Sequence, residues 1–200
     1  MKFILITSFL VFASVAHAGT LILGEWTGTG TQVVTNAIEG QTSSYDSTCN
    51  VAINIESTAT SFGVPFAVFT CNVPDRWNES WVVHRAGSEL FVNGQVVGSI
   101  TSKAAKLSLR SERSVEIIQS DFGDGCSPTG TSKEKATLHK VSSWKFTFES
   151  ATAVFMERSV ETDALTDIYY KPPYCDKAYI KTVPSKRTEL LGLRLVRNAQ

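Results

Sequence analysis

Two segments alternate apolar and polar residues without interruption: Ala105-Lys106-Leu107-Ser108-Leu109-Arg110 and Trp144-Lys145-Phe146-Thr147-Phe148-Glu149. A period of two puts one set of side chains on one face of a sheet and the other set on the opposite face. No long stretch carries the 3.6-residue period of an amphipathic helix; only the charges around 159–167 suit a single helical turn. Further strand-like runs occupy 21–34, 51–56, 64–72, 79–85, 89–93, 114–120, 135–141, 153–161, 178–183 and 189–197. Turn chemistry separates them, at Ala86-Gly87-Ser88, Asn93-Gly94 and Asp121-Phe122-Gly123-Asp124-Gly125. The sequence therefore predicts an all-β domain: an antiparallel up-and-down barrel or strongly curved sheet, with a β-sandwich as the alternative. Residues 125–135 read as the most polar loop. Residues 163–176, with Pro172 and Pro173, read as the longest irregular one.

The N-terminus reads as an export signal. Lys2 gives a short positive region, residues 3–12 an apolar run, and Ala16-His17-Ala18 a small-x-small cleavage site. The apolar run falls short of the roughly 20 residues a membrane span needs. The expected organisation is a signal peptide over 1–18 and a single β-rich domain over 19–200, periplasmic or secreted. The chain holds 19 basic and 19 acidic residues. That balance, with no basic stripe, argues against a nucleic-acid partner, and no later segment suits an integral membrane span.

All four cysteines follow the cleavage site, as suits two disulfides in an oxidising compartment. Folding 51–56 and 64–72 as one hairpin with Val51 opposite Phe69 and Ile53 opposite Ala67 places Cys49 opposite Cys71. Cys126 and Cys175 are then left for each other. No Cys-x-x-Cys occurs, and neither His84 nor His139 has an acidic residue at ligand spacing, so no metal or cofactor is expected. Asp121-Phe122-Gly123 and Ser132-Lys133-Glu134-Lys135 imitate kinase and penicillin-binding strings without the partner motifs that chemistry requires. No catalytic residue is assigned; Glu116, Asp121 and Glu157 are isolated carboxylates.

Gly24-Glu25-Trp26 opens the first long strand and resembles the Gly-x-Trp signature of the lipocalin-like calycin barrels. The resemblance implies that Trp26 closes the base of the barrel under a late-strand arginine, Arg158 or Arg194. Arg194 is preferred, because the last strand of a barrel returns beside the first. It also implies a small apolar ligand inside; in a closed barrel, the strand face shared by Trp144, Phe146 and Phe148 and that shared by Leu107 and Leu109 would offer it an apolar wall, with Trp26 at the closed end. The expected function is that of an exported, non-enzymatic barrel binding a small apolar molecule. The alternative is a structural or protein-interaction module of the cell envelope or surface.

Overall fold

The computed structural model describes residues 24–72, 76–120, 131–171 and 179–197. Ten antiparallel strands form a ring in which each strand pairs with its sequence neighbours, and β1 closes on β10. They are β1 (Gly24–Ile38), β2 (Gln41–Ser57), β3 (Ser61–Cys71), β4 (Arg76–Ala86), β5 (Glu89–Val92), β6 (Gln95–Ile100), β7 (Ala104–Ser120), β8 (Thr131–Ser150), β9 (Ala153–Lys171) and β10 (Tyr179–Arg197). The ring settles the barrel-or-sandwich alternative for the barrel. The signal segment, Cys126, Cys175 and the turn at 121–125 lie outside the described residues.

Tight turns fix the meander. Ile38 pairs with Gln41 across Glu39-Gly40, and Val92 pairs with Gln95 across Asn93-Gly94. All four turn residues have positive φ, as a two-residue loop of the primed type demands. The β2–β3 hairpin adopts the register read from the sequence: Val51 faces Phe69, Ile53 faces Ala67, and Cys49 and Cys71 are joined by a disulfide. A bulge at Asn54/Glu56 lies beyond this stretch and leaves the cysteine register intact.

Several strands outrun their sequence signal. Residues 105–110 and 114–120 belong to one strand, β7, and residues 135–141 and 144–149 to another, β8. Residues 159–167, read as a possible helical turn, lie within β9, which also takes in the first half of the expected irregular loop. The reason is polar cross-strand pairing. Ser108 and Ser143 share a hydroxyl hydrogen bond of 2.7 Å, Thr182 Oγ1 donates to Asp167 at 2.7 Å, and Lys186 meets Glu161 at 3.5 Å. Such pairs hold a ladder whose faces lack apolar alternation.

The barrel interior is aromatic at one level and charged at the next. Trp26, Phe62, Phe69 and Phe146 are fully buried and Trp144 is 1% exposed. Phe69 stacks on Trp77 at 4.9 Å, and Trp144 packs against Trp81 at 5.5 Å and Phe146 at 6.0 Å. Burying one such side chain contributes about 1.5–3 kcal/mol, so this cluster is the main adhesive of the ring. β1 and β10 approach each other closely at a glycine. The β1–β10 ladder is interrupted between Thr27 and Thr31, while β1–β2 pairing runs on. A Cβ on Gly30 would stand 2.7 Å from the Gly192 carbonyl oxygen and 2.6 Å from Leu193 Cβ. Both are held by the sheet, so only a residue without a side chain permits this approach.

Two stability measurements follow from this architecture. Gly30→Ala should lower the unfolding free energy by about 1–3 kcal/mol through overpacking, as read from urea denaturation. Replacing Cys49 and Cys71 together by Ala should cost about 3 kcal/mol, the loop entropy for a separation of 22 residues. An unchanged denaturation midpoint in either variant would contradict the corresponding argument.

Candidate functional site

Alternation decides which side chains of each strand enter the barrel. On β9, Val154, Met156, Arg158 and Val160 are buried while Glu157 and Glu161 are exposed. Arg158 thus enters the barrel by position, and its side chain is only 2% exposed. An unpaired guanidinium there would be prohibitively costly. Two carboxylates answer it. Nε donates to Glu79 Oε2 at 3.1 Å and Nη2 to Glu79 Oε1, a bidentate pair. Nη1 donates to Glu189 Oε2 at 3.3 Å. The guanidinium carbon also lies 5.3 Å from the Phe69 ring centre and 5.6 Å from those of Trp77 and Trp144. Arg158 therefore caps the aromatic cluster with one face and binds the two carboxylates at its edge.

The network continues outward with alternating sign. Lys140 Nζ lies 3.9 Å from Glu79 Oε1, and Arg187 Nε donates to Glu189 Oε1 at 2.8 Å. Gln32 Nε2 donates to Glu189 Oε2 at 3.2 Å, while its Oε1 lies 3.6 Å from both disulfide sulfurs. Three cations thus surround two carboxylates, and Arg76 adds a fourth at the rim of the same hollow of about 460 Å³. Lys140 and Arg187 are 43% and 41% exposed, so their charges reach the open space while Arg158 does not. The hollow is an electropositive cup standing on an aromatic floor that includes Trp77.

The sequence-derived residues divide clearly. Trp26, Leu107, Trp144, Phe146 and Phe148 point inward and are at most 9% exposed; Leu109 is half-buried against them. They pack on one another as the barrel filling. Arg194 corrects an expectation. It follows the inward Leu193, so alternation turns it outward, where it is 66% exposed and its Nε donates to Glu149 at 2.9 Å. Arg158 enters the barrel, and the rings it covers are those of Phe69, Trp77 and Trp144 rather than Trp26. Glu79, Glu189, Lys140 and Arg187 carry no motif. Four charged residues on inward positions of three strands, β4, β8 and β10, were the only signal, and it needed the register to be seen.

The indole Nε1–H groups of Trp26, Trp77, Trp81 and Trp144 are buried without a hydrogen-bond acceptor among the described residues. Each such group costs about 1–3 kcal/mol, which the ring packing must outweigh. Among the described residues no group of three or more His, Cys, Asp or Glu is placed to hold a metal ion. His84 is exposed, and His139 lies 3.5 Å from Glu112 with both side chains more than half exposed. On the outward face, a hollow of about 750 Å³ is bordered by Val33, Phe155, Leu190 and the Lys145–Glu157 ion pair. Comparison of the sequence with protein-family models and with curated proteins finds no match.

Arg158→Ala should destabilise the fold by about 3–5 kcal/mol, because Glu79 and Glu189 would keep their charges in a largely buried site. Arg194→Ala should shift stability by no more than about 0.5 kcal/mol, the scale of an exposed pair. Thermal and urea unfolding of the two variants side by side checks the contrast.

Proposed function

We propose that this protein is an exported, non-enzymatic barrel that binds a small amphiphilic anion at the electropositive cup. The cup supports this reading through its charge. Its exposed cations, Lys140, Arg187 and Arg76, outnumber what Glu79 and Glu189 can neutralise once buried Arg158 has claimed both. A carboxylate, sulfate or phosphate would complete that balance. The apolar part of the guest would lie against Trp77, the aromatic side chain that lines the cup. The apolar-guest expectation is thereby relocated. The six wall residues named from the sequence fill the barrel themselves, so the guest belongs one level out, at the mouth. Its anionic group gives the orientation that an aromatic wall alone would not. Nothing here needs a nucleophile or a general base, and none of the cup residues forms such a pair.

The protein-interaction alternative rests on a separate observation. The outward hollow carries exposed Val33 and Leu190, 37% and 52% accessible, beside the half-buried Phe155. Apolar side chains gathered on an outer barrel face suit a protein contact.

Calorimetric titration with dodecanoate and with dodecanol separates the readings. Dodecanoate should bind at least about tenfold more tightly, with affinity falling as salt rises. Lys140→Ala combined with Arg187→Ala should remove that preference. Equal binding of acid and alcohol, or a preference untouched by the double variant, would overturn the proposal.

A further inference from the structure

The ring closes unevenly. β5 has 4 residues and β6 has 6, but they lie between β4 with 11 and β7 with 17. β4 joins β5 only through His84, Arg85 and Ala86, and β7 joins β6 only through Ala105, Lys106 and Leu107. Among the described residues, 76–83 of β4 and 108–120 of β7 therefore have no strand on the edges that face each other. In an antiparallel strand, alternate residues direct both N–H and C=O toward one edge. Both edges consequently present rows of backbone donors and acceptors. They border one hollow of about 400 Å³, with Ser80 and Trp81 on the β4 side, Leu109 and Arg110 on the β7 side, and Trp144 and Lys140 behind.

The slot has a floor. Trp81 reaches from β4 to within 5.5 Å of the Trp144 ring on β8, so aromatic surface continues beneath the gap between the edges. The charge above it is positive. Arg76 stands on the β4 edge, Arg110 and Arg113 on the β7 edge and Lys140 behind them on β8, while Glu79 is already taken by Arg158. The carboxylate nearest Arg110 on its own strand, Glu112, faces His139 at 3.5 Å.

We propose that the slot between β4 and β7 is a strand-addition site that takes one extended acidic peptide segment of a partner protein. Backbone pairing on both sides supplies the affinity. The β5–β6 hairpin sets the paired ends of β4 and β7 three strand spacings apart, about 14 Å, so one inserted strand pairs with both edges only where they converge to two spacings, about 10 Å; Ser80 and Arg110 line one hollow on that side. Alternation supplies the specificity. Inward residues of the guest meet Trp81, Leu109 and Trp144 and should be apolar. Outward residues meet Arg110 and should be acidic. The slot shares Glu79 and Lys140 with the anion cup, but Arg110 lines only the slot, so a substitution there separates the two sites.

The probe is a blocked hexapeptide alternating valine and glutamate. Its controls are the same peptide with lysine for glutamate, and a version methylated on its backbone nitrogens. Amide hydrogen exchange of the whole protein with the glutamate peptide should slow in both 76–83 and 108–116. The lysine peptide should bind at least about tenfold more weakly, and the methylated peptide should not bind. Arg110→Glu should reverse the glutamate–lysine preference while leaving dodecanoate titration unchanged. Protection of one edge alone, binding of the methylated peptide at full strength, or no binding of the glutamate peptide would overturn the proposal. So would slowed exchange of these edges that depends on protein concentration without peptide, since the occupant would then be a second copy of the chain.

Discussion

One guanidinium organises the interior. Arg158 lies on an inward position of β9, where a charge can exist only if its surroundings answer it on every side. Three aromatic rings take its face and two carboxylates take its edge. Those five partners come from β3, β4, β8 and β10. The pairing therefore fixes the relative height of five strands at one level of the barrel. Below that level the inward side chains are apolar and closely packed; above it Lys140 and Arg187 reach solvent beside the buried Val34 and Val160. The boundary between filling and cup is set by this residue.

The two parts of the interior depend on each other. Lys140 and Arg187 are useful as exposed charges because Glu79 and Glu189 are engaged from below by Arg158. Without the buried cation, the two carboxylates would turn their attraction wholly to the outer cations, and the cup's excess of positive charge would halve, from four cations against two carboxylates to three against two. The disulfide adds a further restraint on the same level. Gln32 connects Glu189 to the Cys49–Cys71 bridge, joining β1, β2, β3 and β10 around the rim of the site.

Legibility in the sequence followed physical range. The Cys49–Cys71 hairpin was readable because its strands adjoin in the chain and a single register satisfies the apolar alternation on both. The Glu39-Gly40 and Asn93-Gly94 turns differ in this respect: Asn93-Gly94 has a familiar turn composition, whereas Glu39-Gly40 takes its shape from the strands it joins. The full lengths of β7, β8 and β9 were hidden, because Ser142-Ser143 and 161–167 put polar groups on both faces and erase the period. The cup was hidden for another reason. Arg158 is 79 residues from Glu79 and 31 from Glu189, and such distant groups meet only once every intervening register is known. Arg194 shows the opposite failure: the last strand does return beside the first, but alternation turns Arg194 outward, and the arginine that enters the barrel is Arg158 on β9.

The topology has a consequence for how the chain reaches this state. Nine of the ten strand pairings join consecutive strands, and each can form by a local zipper from its own turn. The remaining pairing, β1 with β10, joins residues such as Trp26 and Arg197 from opposite ends of the sequence. Local contacts form early and the distant one must wait, because loop-closure entropy is recovered only when the ends meet. The open sheet that precedes closure exposes two long edges at once and leaves the Trp26 ring uncovered. Closing the β1–β10 seam covers Trp26 and pairs both of those edges in a single late event, and the aggregation hazard that remains among the described strands is confined to the β4 and β7 edges beside the short hairpin.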